Sequence, residues 1–351
     1  PSWRRDIDGP ADLVEEVVRM VGLDNVPSTP LPRADGVAKP TATPLQKLER
    51  RARRAAAALG LNEAINWSFL PQKAADAFGG GTWSLANPIS EDMKVMRPSL
   101  LPGLLSAAQR NMDRGASSVR LFEIGRRYFA AADGTSDERL TAGIVLAGDK
   151  AVRNWATGKS TKFDAFDAKA EAIALLKAAG VATDGLLVMD DAGAHYHPGQ
   201  SATLRMGPKN ILAAFGTLHP ATAKAFDLDG SVVAAEIFLD AIPLKKATGF
   251  MRPAFTPPAL QAVTRDFAFL VSQDTPANDL VRAIKGCDKD NIVAARLFDR
   301  FAGQGVPEGQ VSLAVEVTLQ PTDKSYGDDD LKLISDKVIA AAAKLGAVLR
   351  G

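Results

Sequence analysis

Four carboxylates near the start of the chain, Asp6, Asp12, Glu15 and Glu16, are the first residues whose types and spacing could do chemistry. In the stretch DIDGPADLVEEVVRMVGLDNVP, Pro10 after Asp8 and Gly9 predicts a helix start, and Gly22 its stop. Leu13, Val14, Val17, Val18 and Val21 then form an apolar face. Asp12, Glu15 and Glu16, spaced i, i+3 and i+4, share the opposite one. Such acids either offset the positive end of the helix macrodipole, at roughly 0.3–1 kcal/mol each, or offer oxygen ligands to a hard cation, with Asp6 as a fourth.

A second candidate is SVRLFEIGRRYFAA, residues 118–131. It reads as a strand from Val119 to Ile124, a turn led by Gly125 with Arg126 and Arg127, and a second apolar run. In an enzyme that uses ATP, Glu123 and the two arginines could hold an adenine and its phosphates. Among the remaining candidates, His195 and His197 are two apart and would point the same way on a strand. They could ligate a metal, but no further ligand signature lies nearby, and a turn with satisfied imidazoles competes with that reading. His219 precedes Pro220 at a predicted helix start, where capping is the simpler role. The chain lacks GxxxxGK[ST], a GxGxxG after a strand, HExxH and GxSxG; GGG at 79–81 reads as a turn. No nucleophile has its base beside it in any of these patterns.

The elements that must position these residues fall between two proline-rich seams, 26–44 and 252–260. We therefore expect three parts: 1–40 with the carboxylate helix and a linker, a core over 41–251, and a C-terminal domain over 257–351. The core opens with a helix capped by Thr43 and Pro44, with Leu45, Leu48, Ala52, Ala55 and Leu59 inward and a stop at Gly60. Arg50, Arg51, Arg53 and Arg54 spread over its outer face, as a solvated surface or one that meets RNA or a partner. A strand near 64–69 follows. Irregular alternation of strands and helices with short links then predicts an antiparallel α+β sheet. Residues 257–351 read strand, helix, strand, strand, helix, strand, the ferredoxin-like βαββαβ order.

The 351 residues are 46% hydrophobic and 24% charged, an ordinary globular composition with length enough for two or three packed cores. No run approaches the roughly 20 apolar residues of a membrane span, and no secretory segment opens the chain. One cysteine, Cys287, allows no internal disulfide and reads as structural filler, so the expected compartment is the cytosol. The start at Pro1 rather than Met predicts the C-terminal part of a longer polypeptide. The formal charge of +1 is too small to announce nucleic-acid binding. Residues 257–351 hold 11 Lys and Arg against 13 Asp and Glu, so RNA contact there needs a local patch. Arg265, Arg296 and Arg300 are the candidates, with Phe298 between the last two. The competing reading buries Phe298 in the core and pairs the arginines with Asp266 and Asp299.

Several strings carry a resemblance: PSWRRDIDGPADLVEEVVRMVGLDNVP, ANPISEDMKVMRPSLLPGLL, VRLFEIGRRY, HPGQSA, GTLHP and the RDFAFLV to QPTDK stretch. In order and spacing the chain resembles the C-terminal half of the beta subunit of bacterial phenylalanine–tRNA ligase. The resemblance implies a class II synthetase-like antiparallel core without catalytic residues. It further implies a ferredoxin-fold anticodon-binding domain and a catalytic alpha subunit that uses ATP within an alpha2beta2 assembly. It implies magnesium shared with that subunit and held by Asp6, Asp12, Glu15 and Glu16, whose spacing matches the family's at each step. Two departures fit a non-catalytic core. Leu121 stands where an active Arg-x-Glu would place its arginine, and EIFLDAIPL has neither the glycine nor the arginine of a phosphate-binding turn. A freestanding tRNA- or RNA-binding module and a structural dimerisation protein with a degenerate core remain as alternatives.

Overall fold

The computed structural model describes residues 2–32, 40–156, 158–244 and 254–350. Part of each proline-rich seam, 33–39 and 252–253, lies outside the described residues. The chain forms two compact units, Pro1–Lys47 and Leu48–Gly351.

In the first unit, helix α1 spans Pro10–Val21, with Pro10 at its first position and Gly22 past its end at φ +99°. Both punctuation marks act as the sequence predicts. None of its residues is buried, however: Val14, Val17 and Val21 are each about 60% exposed, so the expected inward stripe faces solvent within this unit.

Helix α2, Pro44–Ala58, starts with a capping box in which Gln46 N–H donates to Thr43 Oγ1 and Thr43 N–H donates to Gln46 Oε1. Its buried stripe is Leu48, Ala52 and Ala56, spaced four apart. The strand expected near 64–69 is reduced to two-residue pieces, β1 (Asn62–Glu63) and β2 (Phe69–Leu70). Then follow α3 (Gln72–Asp76), β3 (Val95–Met96) and α4 (Leu101–Asp113). Strands β4 (Ser118–Ala130), β5 (Ser136–Ala151) and β6 (Thr161–Lys162) come next, then α5 (Ala165–Ala178). The core closes with β7 (Leu187–Met189), β8 (Tyr196–Met206), β9 (Asn210–Leu218), α6 (Pro220–Ala225) and β10 (Val232–Phe238).

All of these strands except β2 and β3, which pair with each other, make an eight-stranded sheet in the order β1-β4-β5-β10-β9-β8-β7, with β6 pairing β5. Every pairing except β1 with β4 is antiparallel. Alternation along β5 sends Val145 and Ala147 into a cluster with Leu100, Leu101, Leu104 and Leu105 at the start of α4, and Ile144 and Leu146 to the opposite face. Gly143 lets α4 lie this close, because a β-carbon there would meet Leu100 Cβ and Leu104 Cδ1 at 2.9 Å.

The C-terminal elements are β11 (Val263–Ser272), α7 (Ala277–Gly286), β12 (Ile292–Phe301), β13 (Gln310–Leu319), α8 (Asp328–Ala343) and β14 (Val348–Leu349). The sheet order β12-β13-β11-β14, all antiparallel, is the ferredoxin-like arrangement that the element order predicts. One face packs Phe267, Phe269, Leu313, Val315 and Val317 against Leu280, Ile284, Ile334 and Val338 of α7 and α8.

Candidate functional sites: an ion-pair seal, a carboxylate helix and an open sheet face

Residues 118–130 form one continuous strand, not the strand, turn and strand expected around Gly125. Gly125 serves a packing need instead. A β-carbon there would lie 2.3 Å from Nη2 of Arg97, whose guanidinium covers the strand at that point. Arg97 donates through Nη1 to Glu123 Oε1 at 2.6 Å and through Nε to the Arg126 carbonyl at 2.9 Å. Asn66 Nδ2 donates to the other Glu123 oxygen at 2.7 Å. Both side chains of the pair are about 95% buried. Glu123 thus has both oxygens committed to protein donors.

The two arginines after Gly125 are engaged as well. Arg126 pairs with Glu138 on β5 at 3.0 Å. Arg127 donates to Thr141 Oγ1 at 2.8 Å, and its guanidinium lies 4.4 Å from the ring centre of Phe238. Burial lowers the Arg127 pKa, with Glu236 and Asp240 opposing the shift. On β10, the fully buried Glu236 accepts from the Leu100 N–H at 3.1 Å, and burial raises its pKa. Glu123 and Arg127 are thus held inside the sheet, whereas the Arg126–Glu138 pair lies half-exposed at its surface. Arg97 is the member that sequence reasoning missed. Its only local signal is a glycine in a strand that is otherwise apolar or charged, which marks close approach as readily as a turn.

The α1 carboxylates are drawn toward arginines and backbone. Arg4 pairs with Asp6 at 2.7 Å and with Glu16 at 2.6 Å, and Arg19 also donates to Glu16. The Arg4 hydrogen bond holds the Asp6 carboxyl down to about 2, and Arg19 followed by Arg4 lowers that of Glu16. Asp12 Oδ2 accepts from the Asp8 and Gly9 N–H groups at 2.9 and 2.8 Å, closing the helix start. Glu15 is exposed. The donor set is all oxygen, which suits Mg²⁺. Yet among the described residues no three acids, histidines or cysteines converge on a metal position. In this arrangement Arg4 supplies the positive charge between Asp6 and Glu16.

The histidines do not share a site. The His195 ring lies 4.8 Å from that of Phe78 and 4.4 Å from that of Tyr196, and burial lowers its pKa to about 4. His197 faces His219, with ring centres 6.4 Å apart. His219 caps α6 as expected, its Nδ1 accepting from the Ala221 N–H at 3.1 Å.

On the C-terminal sheet, register decides which arginines can act together. Arg296 is paired with Glu316 and, across β13, with Asp266, which places it on the face away from the helices. It forms a 3.0 Å ion pair with Glu316. Arg265 lies opposite Val317, and Arg300 opposite Leu313, both core-face positions. A register shift between Leu297 and Asp299 separates Arg300 from Arg296 and leaves Phe298 as the extra residue of a bulge. Phe298 is 49% exposed, so it is not core, and the observed partner of Arg296 is neither Asp266 nor Asp299. Arg350 also reaches the open face, its guanidinium 5.6 Å from the ring centre of Phe301. No helix among the described residues is long and apolar enough to cross a membrane.

Residues 27–239 match the family model of the phenylalanyl tRNA synthetase beta chain CLM domain, and residues 258–350 match that of the ferredoxin-fold anticodon binding domain. The chain belongs to the family of phenylalanine–tRNA ligase beta subunits. It is 69% identical to the phenylalanine–tRNA ligase beta subunit of Novosphingobium aromaticivorans, 57% to that of Zymomonas mobilis and 45% to that of Mesorhizobium japonicum. Each match covers 100% of this chain, which spans 44% of the relative's length. Two pyrrolysyl-tRNA synthetase structures from Desulfitobacterium hafniense align over 56% of the chain and 64% and 67% of their own. Their identities are 17% and 18%, with a TM-score of 0.43 in both cases.

Proposed function

We propose that this chain is the non-catalytic beta-subunit portion of phenylalanine–tRNA ligase. In that reading it supports a catalytic alpha subunit in an alpha2beta2 assembly and binds tRNA for the ATP-dependent attachment of phenylalanine. The division is 1–40 as a carboxylate helix with linker, 41–251 as a class II synthetase-like core, and 257–351 as the anticodon-binding domain. The observation that carries the non-catalytic part is the seal over Glu123. An acid that could have met an adenine is bonded on both oxygens, and of the arginines that could have met phosphates, Arg127 is held inside the sheet and Arg126 is paired with Glu138 at its surface. Triphosphate binding without free positive charge loses its main electrostatic support.

Magnesium at the alpha-subunit junction would be held by Asp6, Asp12, Glu15 and Glu16. Bound there, the ion would supply the positive charge that brings these carboxylates and oxygens of the alpha subunit together. This chain's own part is to present the oxygens and to move Arg4 off Asp6 and Glu16.

The test is phenylalanine-dependent pyrophosphate exchange. The purified chain should show none, and the full-length subunit co-assembled with its alpha partner should restore it. Turnover by this chain alone would overturn the reading, as would an alpha subunit that neither assembles with the full-length protein nor gains activity from it.

A further inference from the structure

The connection from β5 to β6 carries an indole that is almost wholly exposed. Asn154 and Gly158 exchange backbone hydrogen bonds, Asn154 N–H to the Gly158 carbonyl at 3.2 Å and Gly158 N–H to the Asn154 carbonyl at 2.9 Å. They close a tight loop in which Gly158 takes φ +81°. Trp155 stands at the tip, 99% exposed. A residue of this size normally covers apolar surface, and an indole held in water forgoes that gain. Arg153 and Lys159 flank it, and all three line one open surface concavity with Asn154, Gly158 and Ser160.

Charge sharpens the picture. At the foot of the hairpin, Lys150 pairs with Asp167 and Lys162 with Asp149, each at 2.6 Å. Among the described residues Arg153 and Lys159 have no acidic partner, so the tip is net positive. Among the described residues Trp155 is the one apolar side chain that lines the concavity, with cations on either side of it, which favours a charged partner over an extended hydrophobic one.

We infer that this hairpin tip is an RNA-contacting site, with the Trp155 indole stacking on an unpaired base and Arg153 and Lys159 meeting its flanking phosphates. An aromatic plane beside two cations is the chemistry of single-stranded nucleic-acid binding, because every base has a π-face and every linkage a charge. The site lies in the core and is separate from the anticodon-binding domain, so it would add a second footprint on the same tRNA. It rests on the reading that the assembled protein binds tRNA.

The test titrates a phenylalanine tRNA transcript with the full-length protein assembled with its catalytic partner, at several salt concentrations. Trp155→Ala should weaken binding about fivefold or more, whereas Trp155→Phe should stay within about threefold of the unsubstituted protein, since a phenyl ring still stacks. Arg153→Gln with Lys159→Gln should lower the salt slope by about one for each phosphate no longer neutralised. Thermal midpoints should be nearly unchanged in all three, because the Trp155 side chain is almost wholly exposed and the ends of Arg153 and Lys159 have no acidic partner among the described residues. Unchanged affinity and slope overturn the hairpin site and leave tRNA binding elsewhere intact. No tRNA binding by the unsubstituted assembly overturns both. Unchanged tRNA affinity with weakened subunit assembly assigns the tip to a protein partner and overturns the RNA site.

Discussion

Arg97 Nη1 lies 2.6 Å from Glu123 Oε1, with both side chains almost wholly out of water. The guanidinium also occupies the space above Gly125 that any side chain there would need. The pair satisfies two buried charges, Asn66 and the Arg126 carbonyl take up part of their remaining hydrogen-bonding capacity, and the glycine makes the approach possible. Removing one member leaves the other buried and uncompensated.

Arg97→Ala is therefore expected to destabilise the protein by about 3–5 kcal/mol, the usual consequence of stripping one partner from a buried ion pair. Arg97→Met with Glu123→Leu should recover much of that stability, because no charge is stranded. Gly125→Ala should also destabilise, since its β-carbon would displace the guanidinium. Urea unfolding of the three variants checks the set; a single-site Arg97 variant as stable as the double would contradict the pairing.

The burial of His195 between Phe78 and Tyr196 sets a pH dependence. Its pKa is held at about 4, below the ordinary value of roughly 6.5. Between those values the unfolded chain takes up a proton that the folded chain refuses. The stabilising contribution is therefore complete above about pH 6.5 and disappears as pH falls toward 4. His195→Phe keeps an aromatic ring in place and removes the titration. The stability difference between wild type and variant should shift against the wild type as pH is lowered from 7 to 4, and a difference that stays flat would refute the assignment.

How far these features can be read from sequence depends on whether the deciding partner is local. The βαββαβ order is legible because apolar alternation along 263–272 and 310–319 follows the pleat of the strands. The α1 boundaries are legible because Pro10 and Gly22 act within one turn. Gly125 reads wrongly as a turn because the residue that requires it, Arg97, lies 28 positions away and only folding brings it over the strand. Simple alternation puts Arg296 and Arg300 on one face, and the bulge between Leu297 and Asp299 undoes that count. The exposed α1 stripe has the same origin, because periodicity reports that a face is apolar and not what covers it.

Arg4 sets an expectation for the carboxylate helix. It binds Asp6 and Glu16 where a cation would compete for the same oxygens; the Arg4 pair lowers the Asp6 pKa, and Arg19 followed by Arg4 lowers that of Glu16. Arg4→Gln should raise Mg²⁺ affinity of the full-length assembled protein several-fold, by freeing Asp6 and one oxygen of Glu16, whose other oxygen stays with Arg19. Glu15→Gln should lower it without disturbing the helix start, which depends on Asp12 rather than Glu15. Magnesium titration by calorimetry reads both; affinity indifferent to Arg4 and Glu15 would return the acids to their role at the positive end of the helix.

The anticodon-binding domain poses the remaining question, since it carries two more acids than bases. Its open sheet face presents Asp266, Glu316 and Asp299 around Arg296, whereas Arg300 belongs to the other face. A broad electrostatic footprint is thus absent, and RNA contact there must rest on local stacking and individual cations. Phe298 and Phe301, 49% and 41% exposed, supply planes beside Arg296 and Arg350. Arg296→Glu removes a cation and adds a negative charge next to Glu316. It should therefore weaken tRNA binding by the full-length assembled protein and reduce the salt slope by about one for each phosphate that Arg296 had neutralised. Arg300→Glu, on the opposite face, should have a distinctly smaller effect. Anisotropy titrations of the two variants at matched salt decide the matter. If Arg300→Glu matches or exceeds Arg296→Glu, the RNA lies along the edge of β12 rather than on the open face. If neither moves affinity, the basic turn of α2, where Arg50 and Arg54 are exposed while Arg53 is held by Glu49 and Glu63, is the surface to substitute next.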